Sequence, residues 1–171
     1  LATINFNILS YSKFSKLQYM GYAFRDCSNL TRVIFPKNQN CIALRSVIGS
    51  LAGTKNLTDI ENLPLINFKD NTLAEEQPEY VYYAYGNMTD IKDNINISFA
   101  DKITAWDGFT NNTYVPKLFS KFSSNTIDNI VNALYDYSSE GITKTLDTKG
   151  YISKFTDDQL LIASNKGWTV T

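Results

Sequence analysis

Apolar residues fall at every third position in short bursts, and polar stretches separate the bursts. Phe24, Cys27, Leu30 and Val33 form one such burst. Leu51, Thr54, Leu57 and Ile60 repeat it, and both carry Asn-Leu-Thr at the third position. Tyr82, Tyr85, Met88 and Ile91 give a third copy, and Phe109, Asn112, Val115 and Leu118 a fourth. With Leu30, Leu57, Met88 and Val115 as anchors, the spacings are 27, 31 and 27 residues. Weaker steps lie between them at Leu17 and Met20, at Cys41, Leu44 and Val47, and at Ala100, Ile103 and Trp106. A near-constant period of this length is the mark of a stacked architecture. One repeat cannot bury its stripe alone, and neighbouring repeats together make a continuous core.

The segments after the anchors, Leu30 to Phe35, Leu57 to Leu65 and Ile95 to Phe99, are short and branched or alternating, as strands are. Pro36, Pro64 and Pro116 sit where strands end, and the Asn and Ser residues before the anchors suit tight turns. Leu1 to Ile4 reads as the end of a further step, so the sequence opens in mid-repeat. The expected fold is α/β: an irregular solenoid over residues 1–122, with short strands.

A different pattern begins at residue 123. Asn125 is expected as an N-cap with Asp128 three residues on, and Ile127, Ile130, Val131 and Leu134 share one helical face. Ser138 to Gly141 breaks that helix, and Ile142 to Leu146 alternates as a strand does. Thr156 and Gln159 make a capping box, with Asp157 and Asp158 in the first turn. Leu160, Leu161 and Ala163 are expected on the buried face, Lys166 and Gly167 close the helix, and Trp168 to Val170 forms a last strand. Residues 123–171 thus read as the atypical terminal unit that covers the open end of a solenoid.

The run Ala23-Phe24-Arg25-Asp26-Cys27-Ser28-Asn29-Leu30-Thr31-Arg32-Val33-Ile34-Phe35-Pro36 resembles the BspA-type leucine-rich repeat, whose pattern is A/M-F-x-x-C-x-x-L-x-x-I-x-(L/I)-P. Residues 108–118 match it more loosely, with Asn112 in place of Cys27. The resemblance covers about residues 1 to 120 and implies that the solenoid is an irregular leucine-rich-repeat one. It implies a surface protein of a bacterium, a protist or a phage tail that binds host or matrix ligands. The closing segment, Phe155 to Val170, is similar to the ends of repeat proteins from gut bacteria and their phages.

Composition narrows the chemistry. Hydrophobic residues make 43% and charged residues 19% of 171, enough apolar material for a packed domain. Sixteen Lys and Arg against 17 Asp and Glu, with only Arg25, Arg32 and Arg45 as arginines, argue against a nucleic-acid groove. The chain has no His, which excludes Ser-His-Asp and Cys-His catalysis and His-ligated zinc. No apolar run is long enough for a membrane helix. Asn (18), Thr (16) and Ser (14) are abundant, as expected of an exposed, turn-rich, extracellular protein.

Cys27 and Cys41 each lie three residues before an apolar position, and read as free thiols packed like small apolar residues; a disulfide between adjacent turns is the alternative. Glu75, Glu76 and Glu79 share one short segment, so they do not face each other across a sugar as glycosidase carboxylates must. Asp90, Asp93 and Asp101 do not match a calcium loop. Five N-x-S/T sequons, at Asn29, Asn56, Asn87, Asn96 and Asn111, fall mostly on turn positions. Trp106 belongs to the apolar stripe. In the one long interval, phase assigns Tyr82 and Tyr85 to the core and leaves Tyr80 and Tyr83 to point elsewhere. Tyr80, Tyr83, Glu76 and Glu79 are therefore the candidate ligand-binding residues, since exposed Tyr offers area and a hydroxyl at low entropic cost.

No metal, cofactor or catalytic residue is expected. The sequence suggests a non-enzymatic recognition module at a virion or bacterial cell surface, binding a host surface protein or glycan. The alternative is a structural component acting through neighbouring subunits, including copies of itself.

Overall fold

The computed structural model describes residues 2–6, 19–37, 51–63, 92–100, 102–104, 106 and 119–171. The protein is mixed α/β, built on one parallel sheet with few helices. Strands β1 (Thr3–Asn5), β2 (Arg32–Ile34), β3 (Asp59–Leu63) and β4 (Asn96–Phe99) lie side by side in chain order. All three pairings are parallel. Consecutive order in a parallel sheet requires every connection to return to the same end, so each strand begins a new layer. Among the described residues the sheet does not close into a barrel.

The register stacks like on like. Ile4 faces Val33, Val33 faces Ile60, and Ile60 faces Ile97. Val33, Ile60 and Ile97 are buried and form the inner column of the core. Strand alternation turns the residues beside them outward.

The anchors Leu30 and Leu57 are fully buried, and the turns that deliver them are copies of each other. Leu30 N donates to Cys27 O (2.9 Å) and Leu57 N to Thr54 O (3.0 Å); Cys27 N donates to Phe24 O and Thr54 N to Leu51 O. Asp26 (φ 58°) and Gly53 (φ 73°), 27 positions apart, both take the left-handed conformation. The two turns lie in direct contact, with Asp26 N donating to Ala52 O at 2.8 Å and Asn56 Nδ2 to Ser28 O at 2.8 Å.

The next interval departs from the expected phase. Asp59 pairs with Asn96, 37 positions later, instead of following the 31-residue anchor spacing. The extra residues fall before β4, and a register shift between Ile60 and Leu63 absorbs part of the mismatch. Asn62 occupies the shift at φ 55°, donating through Nδ2 to Phe35 O and through its backbone N to Ser98 Oγ. Met88 and Val115 lie outside the described residues.

The C-terminal unit continues the stack. Ile95 bridges Phe122 and Ile103 bridges Leu134, both in parallel. Helix α1 (Ser124–Ala133) then packs on β4. Its N-cap is Ser123, not Asn125: the Ser123 hydroxyl accepts from Thr126 N at 3.1 Å. Ser123 is one residue past Phe122, so the strand pairing fixes where the helix starts. Ile127, Ile130, Val131 and Leu134 are buried as expected.

Strand β5 (Lys144–Leu146) pairs in parallel with β6 (Trp168–Val170), and α2 (Asp157–Asn165) lies between them in sequence. The Thr156–Gln159 capping box is formed in full. Helix α2 buries Gln159 and Ala163, while Leu161 is 58% exposed, so the expected place of Leu161 on the buried face is corrected. The helix rotates to turn Gln159 inward, where Nε2 donates to Asp128 Oδ1 on α1. Among the described residues one apolar cluster runs from Met20 to Trp168.

Lysines from outside α1 cap its carbonyl end. Lys166 Nζ donates to Val131 O and Asn132 O, and Lys102 Nζ to Asn132 O. These charges complement the helix dipole where α1 has no basic residue in its own last turn.

A side chain at Gly53 would be strained by its φ and would press on the Asp26 carboxylate, with Asp26 Cα only 3.2 Å away. Gly141 shares the left-handed conformation (φ 65°) but has open space around it. Gly53→Ala should therefore lower stability by about 2–3 kcal/mol and Gly141→Ala by about 1 kcal/mol. Urea unfolding of the two variants checks the difference. In the buried Thr126, the hydroxyl donates to Ile95 O (2.7 Å) and accepts from Ile97 N (2.8 Å). Thr126→Val leaves Ile97 N without its acceptor, while Ile95 O keeps Ser123 N at 3.1 Å, and should cost about 1–3 kcal/mol by the same assay.

Candidate functional site

The outward face of the sheet presents a grid of polar side chains. One row runs through Thr3, Arg32, Asp59 and Asn96, one residue per strand in register. A second row, two residues on, holds Asn5, Ile34 and Glu61, with Ser98 beside it on β4. Strands stand about 4.8 Å apart, so the first row spans about 14 Å. All of these residues are exposed or half-buried.

Hydrogen bonds hold the grid in place. Arg32 reaches diagonally to Glu61, with Nε 2.9 Å from Oε1 and Nη2 on the same oxygen. The Glu61 hydrogen bond and charge raise the Arg32 pKa above its ordinary value. Asp59 Oδ1 accepts from Asn96 Nδ2 (3.3 Å), and Asn96 Oδ1 accepts from Ser123 Oγ (2.8 Å). The Thr58 hydroxyl lies 2.8 Å from Asp59 Oδ2 and 3.1 Å from Thr31 O, and donates to one at a time. Each polar side chain of the first row beyond Thr3 thus has at least one fixed neighbour, and the face is preformed.

The arrangement suits binding. Asp59 and Glu61 stand on the same face of one strand, so they do not oppose each other across a bound sugar. Among the described residues no group of three or more Cys, Asp or Glu converges as a metal site. Guanidinium, carboxylate, amide and hydroxyl groups offer donors and acceptors to a partner laid across the strands.

The sequence-derived candidates Tyr80, Tyr83, Glu76 and Glu79 lie outside the described residues, as do Cys41, Asp90 and Asp101. Cys27 is free but exposed, which corrects its expected packing in the core. Its counterpart Thr54 is buried and donates to Leu51 O within its own turn, whereas Cys27 borders a cavity. Asp93 pairs with Lys121 at 2.6 Å. Trp106 is in the core, as expected, and its Nε1 donates to Asp147 O. Of the sequons, Asn56 and Asn96 spend their amides on Ser28 O and Asp59, while Asn29 is exposed. The polar grid itself was readable: Arg32 and Asp59 each follow an anchor by two residues, on the alternate that faces away from Val33 and Ile60.

Comparison with protein-family models, with curated proteins and with solved structures gave no match. No helix among the described residues is long and apolar enough to cross a membrane.

Three carboxyls are held below their ordinary value: Asp93 by Lys121, Asp136 by hydrogen bonds from Ser138, and Asp147 by Lys149. A depressed carboxyl contributes stability above its unfolded pKa, and that contribution disappears as pH falls through the folded value. Unfolding midpoints should therefore drop below about pH 4 and stay flat between about pH 5 and 8, where no side chain of this His-free chain ordinarily titrates. Asp147→Asn should lower the midpoint at pH 7 and leave it unchanged at pH 2.

Proposed function

We propose that the chain is a leucine-rich-repeat solenoid of the BspA type with a capping C-terminal unit, serving as a non-enzymatic recognition module. It works outside the cell, on a virion or a bacterial surface, and binds a host surface protein or glycan. Two features support the solenoid: the strands follow one another in a parallel sheet, and the turns 24–30 and 51–57 repeat hydrogen bond for hydrogen bond. The observation that carries the function is the outward grid of Arg32, Asp59, Glu61 and Asn96. It is polar on every strand, held by its own hydrogen bonds, and set on a rigid apolar column. A surface ordered before contact loses little entropy on binding.

Assembly through subunit contacts is the second reading. Leu161 and the half-exposed Ile162 are adjacent on α2 and face outward. Large apolar side chains in that position fit a contact with a neighbouring subunit.

The test is binding of the purified chain to intact host cells, with protease or periodate treatment of the cells separating protein from glycan. Arg32→Ala/Glu61→Ala should weaken binding at least tenfold and move the unfolding midpoint little, because an exposed ion pair is worth under about 1 kcal/mol. Undiminished binding by the double variant would sink the assignment to this face. Light scattering addresses the second reading: a multimer that Leu161→Asp converts to monomer supports it, and a monomeric parent chain removes it.

A further inference from the structure

Asn96 on β4 ends the first polar row, and its amide is fixed at both ends. Oδ1 accepts from Ser123 Oγ at 2.8 Å, and Nδ2 donates to Asp59 Oδ1 at 3.3 Å. The reverse orientation would set the amide oxygen against the carboxylate. Ser123 Oγ has one proton, and Thr126 Oγ1, 3.2 Å away, is already the acceptor for Ile97 N. The hydroxyl therefore donates to Asn96, while its oxygen caps α1 at Thr126 N. One side chain of the C-terminal unit thus sets the polarity of the sheet face.

That polarity leaves defined groups for a partner. The second hydrogen on Asn96 Nδ2, Arg32 Nη1 and Glu61 Oε2 make no hydrogen bond among the described residues. Donors and acceptors are thus spread over three neighbouring strands, about 10 Å across. Protein interfaces of ordinary size bury about 800 Å² on each side and are anchored by large buried side chains. None of the exposed large apolar side chains lies on these strands, and Ile34, the one apolar residue of the outward rows, is half-buried. Asp59 and Glu61 outnumber Arg32, which disfavours an anionic ligand. Sugar hydroxyls both donate and accept, and match such a set without an apolar anchor.

We propose that this face takes a neutral oligosaccharide. Asn96 and Arg32 donate to its oxygens, and Asp59 and Glu61 accept from its hydroxyls. Ser123 is the positioning residue that keeps Asn96 a donor. The inference rests on the recognition reading above and narrows it to a glycan.

The probe is a printed array of neutral and sialylated oligosaccharides, read with the full chain. Binding to neutral members is expected. Ser123→Asp keeps a capping oxygen for Thr126 N but has no proton for Asn96 Oδ1. It should weaken binding about fivefold, the effect of one neutral hydrogen bond, and leave the unfolding midpoint in place. Ser123→Thr keeps both contacts and should bind as the parent does. Equal binding by the parent and Ser123→Asp would overturn the positioning role, and binding confined to sialylated members would overturn the ligand class. A parent that binds host cells in a protease-sensitive manner and no array member would overturn the glycan proposal alone. A parent that binds neither would remove the recognition reading with it.

Discussion

Every pairing in the four-stranded sheet joins residues 27 to 37 positions apart, and no hairpin supports any of them. The sheet therefore exists only because successive layers present an apolar residue at the same height. Ile4, Val33, Ile60 and Ile97 meet that requirement in register. The register then fixes the outward rows, because a slip of one residue would carry the buried column to the solvent face. The grid of Arg32, Asp59 and Asn96 is thus a consequence of the column behind it. What orders the surface is the core.

The same constraint reaches the C-terminal unit through one hydroxyl. Thr126 supplies the acceptor for Ile97 N, which a further strand would otherwise pair, and adds its hydroxyl to Ile95 O beside Ser123 N. Helix α1 therefore starts where strand pairing stops, and Ser123 serves both parts, capping the helix and donating to Asn96. Lys102, Lys154 and Lys166 act in a similar way, donating to the backbone carbonyls of Asn132, of Ser120 and Phe122, and of Val131 and Asn132. Burial depresses the pKa values of Lys154 and Lys166, which is the electrostatic cost of placing ammonium groups there.

Much of this was legible in the sequence because period and burial are linked. The anchors Leu30 and Leu57, the strands after them, the helix face of Ile127, Ile130, Val131 and Leu134, and the Thr156–Gln159 box follow from spacing alone. The misreadings came where a neighbouring layer decides. Asn125 looks like a cap until strand pairing brings Ser123 to that position. Leu161 looks buried until Gln159 finds Asp128. Cys27 looks like core because Thr54 is core, yet Cys27 is exposed and borders a cavity. The site was harder to read. Attention fell on Tyr80 and Tyr83, whose chemistry is conspicuous, while Arg32, Asp59 and Glu61 are ordinary residues made into a surface only by register.

The stretch from Asp59 to Asn96 is ten residues longer than the one from Arg32 to Asp59, yet the strands at its ends are still paired. Lengthening a connection from 27 to 37 residues adds only about 0.3 kcal/mol of closure entropy. Parallel stacking with side-chain rungs is thus indifferent to how much sequence lies between strands, provided each strand returns in phase. Such a framework can accept new segments between its layers without retuning its core. Diversification of what the protein displays and conservation of what holds it together then become separate evolutionary problems.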